Sequence, residues 1–131
     1  MESVQFAVNG TLMRGLALNE NLHSVGATFL HESVTASMYR IWSIDDVHPA
    51  MLRVKQGGAA IAVEVWDVPL IGLGKILLKE PPGLCIGKVF LSDGKQVLGV
   101  LGEPILCDGQ QDITEWGGWR AYTESHSLQM A

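Results

Sequence analysis

A short glycine-bracketed loop near the start of the chain is the first segment that could bind a substrate. It runs from Asn9 to Gly15 and follows Val4–Val8, whose alternation of apolar and polar residues is typical of a β-strand. Such a loop leaves backbone N–H groups unpaired, and these can converge on a carboxylate or an oxyanion. Gly10 permits close approach of a ligand to the backbone, and Thr11 adds a hydroxyl. The alternative is a plain connection between a strand and a short helix.

Glu80 is the candidate for proton transfer. Leu73, Ile76 and Leu77 recur at helical spacing, and Glu80 falls on the same apolar face. Its carboxyl group then projects toward the interior, at the negative end of the helix dipole. Both burial and the dipole disfavour the ionised form, so we expect a raised pKa in the range that a general acid or base needs. The alternative is a frayed last turn with Glu80 in water.

Other polar and aromatic residues are weaker candidates for a functional site. Glu64 lies in an apolar strand, out of phase with its valine neighbours, so its side chain faces either a barrel interior or solvent, and solvent is the favoured interpretation. Arg120 can hold a substrate carboxylate through a bidentate pair, although a surface ion pair is the alternative. Trp116, Trp119 and Tyr122 recur at a spacing of three, which favours a helix face packed on the core over a stacked ligand.

Several kinds of site lack their motifs. The sequence contains neither of the glycine-rich nucleotide-binding patterns and no readable Ser-His-Asp or Cys-His arrangement. Cys85 and Cys107 have no CxxC partner, which disfavours a disulfide framework or a zinc knuckle; two reduced thiols are expected, and a single disulfide is the alternative. The histidines show no metal-ligand spacing; they are His23, His31, His48 and His126. We therefore expect neither a metal nor an organic cofactor.

Composition limits the class of protein further. The chain has 131 residues, of which 47% are hydrophobic and 18% charged, and its net charge is −5. These values predict one globular domain over residues 1–131 and disfavour disorder. An acidic chain with no run of Lys and Arg is a poor candidate for binding nucleic acid or an anionic membrane. No apolar stretch reaches the roughly 18 residues of a membrane helix, and Met1–Ser3 lacks the features of a secretory signal, so we expect a cytoplasmic protein.

The elements that must position these residues are mostly strands. Pro69 suits the first turn of the helix that carries Glu80, and Pro81 must end it. Asp93-Gly94 between two apolar runs is a strong hairpin signal, and Asp112 has the pattern of a helix start. The predicted strands are Val4–Val8, Ala27–Leu30, Ser37–Ile44, Ala59–Val68, Leu84–Leu91 and Gln96–Leu101, and the predicted helices are Leu16–His23, the segment from Pro69 to Glu80 and a terminal helix through Tyr122. This order predicts an α+β domain built on a mainly antiparallel sheet or partial barrel.

Motifs along most of the chain resemble a known superfamily. The segment Val8–Gly15 resembles the N-terminal signature of the γ-glutamylcyclotransferase-like superfamily, whose common form is Tyr-Gly-Ser/Thr-Leu. Asn9 stands where that superfamily usually has Tyr. Later stretches resemble one branch of it, the C-terminal domain of allophanate hydrolases, and the closing Gly-Gly-Trp-Arg run is the most specific of them. These stretches are Val63–Pro69, Ile86–Val89, Leu91–Gly94, Asp112–Thr114 and Gly117–Tyr122.

The resemblance implies a small, mainly antiparallel β-barrel with flanking short helices and a cavity bounded by the first loop. In cyclotransferases the backbone of that loop holds the γ-glutamyl group, and a Glu just after the following helix moves protons. Glu80 falls at about the position of that Glu, so it is the expected catalytic residue, although Pro81 replaces the Gly that usually follows. The expected substrate-binding residues are Asn9, Gly10, Thr11, Leu12, Met13 and Arg120.

The resemblance also implies a choice of functions. The amidase half of allophanate hydrolase needs a much longer chain, and the corresponding C-terminal domain is linked to breakdown of the amidase product N-carboxycarbamate, a small dianion. We therefore expect a domain that binds a small carboxylate or amide, with Glu80 as general acid or base. The alternatives are a γ-glutamyl cyclotransferase that releases 5-oxoproline and a non-catalytic accessory or assembly domain. A homodimer or a separate amidase partner is consistent with each of these functions.

Overall fold

The computed structural model describes residues 2–126, which form eight strands, four short helices and one 3₁₀ helix. The strands are β1 (Ser3–Val8), β2 (Thr28–Val34), β3 (Tyr39–Ile44), β4 (His48–Arg53), β5 (Ala62–Pro69), β6 (Leu84–Phe90), β7 (Gln96–Gly102) and β8 (Gln111–Asp112). The helices are α1 (Glu20–His23), α2 (Gly72–Lys79), α3 (Pro104–Cys107) and α4 (Trp119–Ser125), and the 3₁₀ helix is Thr114–Trp116.

The strands form two sheets. The larger has the order β2-β5-β1-β7-β6, and the smaller has the order β4-β3-β8. Every ladder is antiparallel except the short parallel pairing of β1 with β7. The predicted α+β class and mainly antiparallel pairing are therefore confirmed.

The β-barrel that the resemblance implies is not found, since within residues 2–126 only an isolated bridge, Thr35 with Leu91, joins the segments that follow the outer strands β2 and β6. Among residues 2–126 no ladder joins the two sheets, and β6 remains an outer strand of the larger one. At the end of β6, the N–H of Phe90 donates to the hydroxyl of Tyr39 (2.9 Å), and the N–H of Ala36 donates to the carbonyl of Phe90 (2.9 Å). A barrel needs a strand on both sides of every strand. Here a side chain and an irregular segment occupy the place of the missing partner.

Local sequence signals predicted one turn correctly and placed the start of one helix too early. The hairpin at Asp93-Gly94 is confirmed, with Gly94 at φ +89° and the side chain of Asp93 accepting from the N–H of Lys95 (2.9 Å). Pro69 does not start the helix, because it pairs with Ser3 at the end of β5, and α2 begins only at Gly72.

The main apolar core lies between the sheets and beneath the helices, and a second, smaller cluster contains Ile44, Ala50 and Cys107. Phe6 and Val65 from the larger sheet and Ile41 and Met51 from the smaller one are all buried in the main core. Asn9 and the loop that follows cover one end of this core, since Leu12, Met13 and Leu16 are also buried there; these three belong to the same cluster. The first loop is thus anchored in the core by its apolar side chains.

Candidate functional site

A small cavity lies at the C-terminal end of β1. Its volume is about 20 Å³, which is close to what one water molecule requires. The lining residues are Val8, Asn9, Gly10, Thr11, Leu12, His48, Pro49, Glu80, Leu84 and Val100. The structure therefore brings together, around one hollow, Glu80 and four of the predicted substrate-binding residues.

In the loop after β1, the backbone carbonyl groups of Gly10–Leu12 are hydrogen-bonded to other residues of the described chain, whereas the backbone N–H groups of these residues are not. The carbonyls of Gly10, Thr11 and Leu12 accept from Met13, Leu18 and Asn19, at 2.9, 2.9 and 2.8 Å respectively. The backbone N–H groups of Gly10, Thr11 and Leu12 donate to no group within residues 2–126. Unpaired backbone donors are costly unless water or a ligand accepts from them, so this loop is suited to holding an anion.

Two contacts fix the loop at the start of the cavity. The side-chain amide of Asn9 is only 4% exposed and donates to the carbonyl of Val100 (3.0 Å). Gly10 lies so close to Pro49 that an added Cβ would be 2.6 Å from two of its ring carbons. A side chain at position 10 would therefore displace β4, which explains why glycine is required here.

Glu80 reaches the cavity because α2 ends one residue before it. Its backbone is extended, its N–H donates to the carbonyl of Leu77 (3.1 Å), and Pro81 prevents another helical turn. The side chain is half-buried, and burial raises the pKa of its carboxyl group to about 7. In the part of the chain that the structure describes, this carboxyl group forms no hydrogen bond or ion pair.

His48 is a cavity residue that sequence reasoning missed. It is 8% exposed and lies at the start of β4. Its Nδ1 is 3.0 Å from the carbonyl of Pro49, and because a carbonyl only accepts, Nδ1 carries the proton. Nε2 is left as the ring nitrogen that can contact a ligand. No spacing signal could have found His48, because β4 has no alternating pattern and is interrupted by Pro49.

Met13 and Arg120, the remaining predicted substrate-binding residues, lie at a different place. Both line an open groove of about 560 Å³ between β2, β5 and the start of α4. The other lining residues are Glu32, Ser33, Val34, Ala62, Val63, Glu64, Ser92, Trp116, Gly117, Gly118 and Ala121. The predicted set is thus divided between two sites.

Glu64 is buried beneath this groove, which corrects the prediction that it faces solvent. Its side chain is 3% exposed. Arg14 donates to it from both its backbone N–H (2.9 Å) and its Nε (3.1 Å), and Arg120 donates from Nη2 (3.3 Å). The indole N–H of Trp66 is a fourth donor (3.2 Å). Arg120 therefore holds a carboxylate of the protein itself, in a satisfied buried network.

The aromatic residues near the C-terminus are mainly structural. Trp119 and Tyr122 are buried in the core, as their spacing predicts, whereas Trp116 is 38% exposed at the edge of the groove. Both cysteines are free, as expected, and burial raises the pKa of the Cys107 thiol to about 11. Within residues 2–126 there is no cluster of three or more metal-ligating side chains, and no helix is both long and apolar enough to span a membrane.

Comparison with known proteins identifies the family. The family model described as the allophanate hydrolase C-terminal domain matches residues 4–124. This chain belongs to that family. The urea amidolyase of Saccharomyces cerevisiae is 33% identical over 129 residues, which are 93% of this chain and 7% of the yeast protein.

Solved structures agree with the family assignment and with the fold. A uropathogenic E. coli-specific protein is 52% identical with a TM-score of 0.93, covering 95% of this chain and 98% of that one. Kluyveromyces lactis allophanate hydrolase is 32% identical with a TM-score of 0.90, covering 96% of this chain and 22% of that one. An AIG2-like protein from Mus musculus, 17% identical with a TM-score of 0.65 and coverage of 100% and 97%, shares the fold. The resemblance to the C-terminal domain of allophanate hydrolases is confirmed, and this chain spans only a small part of the urea amidolyase and allophanate hydrolase chains.

Proposed function

We propose that this allophanate hydrolase C-terminal-like domain acts on a small carboxylate or amide metabolite in the cavity at the end of β1. The observation that supports the proposal is the juxtaposition in one hollow of a carboxyl group with a pKa of about 7 and the unpaired N–H groups of Gly10–Leu12. Such a carboxyl group is partly protonated near neutral pH, so it can both donate and accept a proton. The N–H groups supply a fixed site for negative charge.

N-carboxycarbamate, the amidase product linked to this family, fits this chemistry. One of its carboxylates would accept hydrogen bonds from Gly10–Leu12. Breaking the C–N bond to the other carboxylate releases carbon dioxide and leaves the electron pair on nitrogen. Glu80 then donates its proton to that nitrogen, which yields carbamate, and it regains a proton from solvent. His48, whose Nδ1 contacts the carbonyl of Pro49, would orient the substrate through Nε2.

The volume of the cavity places a condition on this proposal. About 20 Å³ accommodates one water molecule and no substrate. A lining side chain must therefore move when the substrate enters. A compact dianion requires a smaller movement of the lining side chains than the larger γ-glutamyl group of a cyclotransferase substrate. Decarboxylation is therefore favoured over formation of 5-oxoproline.

The test is carbon dioxide release in a reaction where a separate amidase generates N-carboxycarbamate from allophanate. The wild-type protein should accelerate release over the amidase alone. Glu80→Gln should lose on the order of 100-fold or more of that acceleration, while Glu20→Gln, an exposed acid on α1, should retain it. Full acceleration by Glu80→Gln would exclude Glu80 from the mechanism.

A second function, an accessory or assembly domain, is favoured by the exposed apolar side chains of α2 and the turn before it. Leu78 is 87% exposed and Ile71 is 69% exposed, although single exposed apolar residues are common. If this function is the correct one, malonate, a stable dianion, should leave the melting temperature unchanged, and Leu78→Lys should abolish self-association or binding to a separate amidase in sedimentation experiments. If the cavity is a substrate site, malonate should raise the melting temperature.

A further inference from the structure

The outer edge of β6 has main-chain groups that form no hydrogen bond with any residue from 2 to 126. Adjacent residues of an antiparallel strand alternate between facing the partner strand and facing away from it. The N–H and carbonyl of Phe90 bond to Tyr39 and Ala36, so they face away from β7. By the same alternation the N–H and carbonyl groups of Ile86 and Lys88 also point outward. No residue in the described part of the chain hydrogen-bonds to them.

β4, an outer strand of the smaller sheet, presents a second open edge. Tyr39, the register partner of Arg53, exchanges both main-chain hydrogen bonds with Ala59, at 3.3 and 2.8 Å. Its main-chain groups therefore face away from β4, and those of Arg53 face away from β3. Within residues 2–126 the N–H and carbonyl of Arg53 are likewise without partners.

These two edges border one groove of about 640 Å³. Its lining residues are Leu52, Arg53, Cys85, Lys88, Phe90, Gln96, Leu101 and Gly102. None of them is acidic, and no ion pair within residues 2–126 involves Arg53 or Lys88. The guanidinium carbon of Arg53 lies 5.2 Å from the centre of the Phe90 ring, which orients the charge over the groove.

The charges of this groove contrast with those of the whole chain. The net charge is −5, yet Arg53 and Lys88 place two cations along this groove, and Lys95 lies with Lys88 along the adjoining one. The carboxylate of Glu103 lies at one end, where burial and this neighbour together raise the pKa of the Cys85 thiol. An anionic occupant is therefore favoured along the remaining length, where Arg53 and Lys88 lie.

We propose that this groove binds an extended acidic segment of a partner protein by strand addition. Main-chain groups of the segment would bond to the open edge of β6 at Ile86 and Lys88. Alternate acidic side chains would pair with Lys88 and with Arg53 over Phe90. This mode of recognition uses main-chain hydrogen bonds for affinity and the alternating side chains for specificity. The site is separate from the cavity that contains Glu80, so it does not depend on the proposed reaction.

The test uses three synthetic peptides and amide-resolved NMR titration of the full chain. The first is a blocked Glu-Val-Glu-Val-Glu peptide, the second replaces Glu by Lys, and the third is the acidic peptide N-methylated at alternate amides. The first should bind at least ten-fold more tightly than either of the others. It should also shift the amide signals of Ile86 and Lys88 and slow their hydrogen exchange.

Two charge variants complete the experiment. Arg53→Glu combined with Lys88→Glu should weaken binding of the acidic peptide at least ten-fold, whereas Lys75→Glu, an exposed site on α2, should not. If the double variant is not folded by circular dichroism, Lys88→Gln alone should still weaken binding measurably. Equal affinity for the acidic and lysine peptides, or equal affinity for the N-methylated peptide, would overturn the proposal. Absence of binding would also overturn it.

Discussion

At the scale of the residue, Glu80 is an acid that folding keeps partly neutral. Burial raises the pKa of its carboxyl group from 4.5 to about 7, and no hydrogen bond or ion pair among residues 2–126 compensates the charged form. A structural role would gain nothing from such a group, because an uncompensated charge costs stability. Perturbed carboxyl groups in hollows are characteristic of functional sites.

This pKa predicts how the stability of the protein depends on pH. The folded state holds the Glu80 proton up to about pH 7, whereas the unfolded chain releases it near pH 4.5. The wild type should therefore lose free energy of unfolding, relative to Glu80→Gln, as the pH rises from about 4.5 to 7. The difference should reach about 2 kcal/mol after allowance for the exposed part of the side chain.

Urea unfolding at half-unit pH intervals measures this difference. Below pH 4 the wild type and Glu80→Gln should have similar free energies of unfolding, and above pH 7 the difference should become constant. Glu20→Gln, on the exposed side of α1, should follow the wild type throughout. Parallel curves for the wild type and Glu80→Gln would show that Glu80 ionises freely in the folded state.

The candidate site was partly predictable because some of its signals are local. The loop Asn9–Leu12 was found from its glycine and its position after a strand, and Glu80 from helical spacing followed by a proline. His48 was not found, because its strand lacks alternation. The separation of Arg120 from Glu80 could not be predicted either, since it depends on where α4 packs, and nothing within a few residues of Arg120 encodes that.

At the scale of the element, β5 shows why the solvent prediction for Glu64 was wrong. Alternation predicts one exposed face only where a strand has solvent on one side. β5 lies between β2 and β1, and both of its faces are covered, so Val63, Glu64, Val65 and Trp66 are all buried. The covering loop contributes Arg14, which is fifty residues away along the chain. Such a long-range partner leaves no local signal.

The network around Glu64 should contribute strongly to stability. Glu64→Gln retains the shape of the side chain but places an amide N–H₂ group among N–H donors. We expect a loss of about 3 kcal/mol in the free energy of unfolding, as for other broken buried ion pairs. Glu32→Gln is the matched control, because Glu32 also bonds to Arg14 but is 74% exposed. Its loss should be about 0–1 kcal/mol.

Chemical denaturation at pH 7 measures the free energies of unfolding of both variants and tests this prediction. Equal losses for Glu64→Gln and Glu32→Gln would contradict the network described here, because burial would then not distinguish the two carboxylates. Catalysis at the β1 cavity should be preserved in Glu32→Gln, since Glu32 lies in the other groove.

At the scale of the whole molecule, the two open sheets share one core. Residues of β3 and β4 pack in the same apolar cluster as residues of β1 and β5. In the urea amidolyase and allophanate hydrolase relatives this unit is a small fraction of a longer chain. A core of this kind should nevertheless allow it to unfold in one cooperative step, which would also support the prediction of a single domain.

Two tryptophans allow this cooperativity to be tested, since Trp42 lies in β3 of the smaller sheet and Trp66 in β5 of the larger. One variant keeps only Trp42 and another keeps only Trp66, with the other tryptophans changed to Phe. In each variant, the urea midpoint measured by fluorescence should coincide with the urea midpoint measured by circular dichroism. Adding Met51→Ala, which removes a buried side chain of β4, should lower both midpoints together, with a loss of about 2–5 kcal/mol. A Trp42 transition at lower urea than the Trp66 transition would mean that the smaller sheet unfolds by itself, and that His48 and Pro49 can leave the cavity while β1, α2 and Glu80 stay folded.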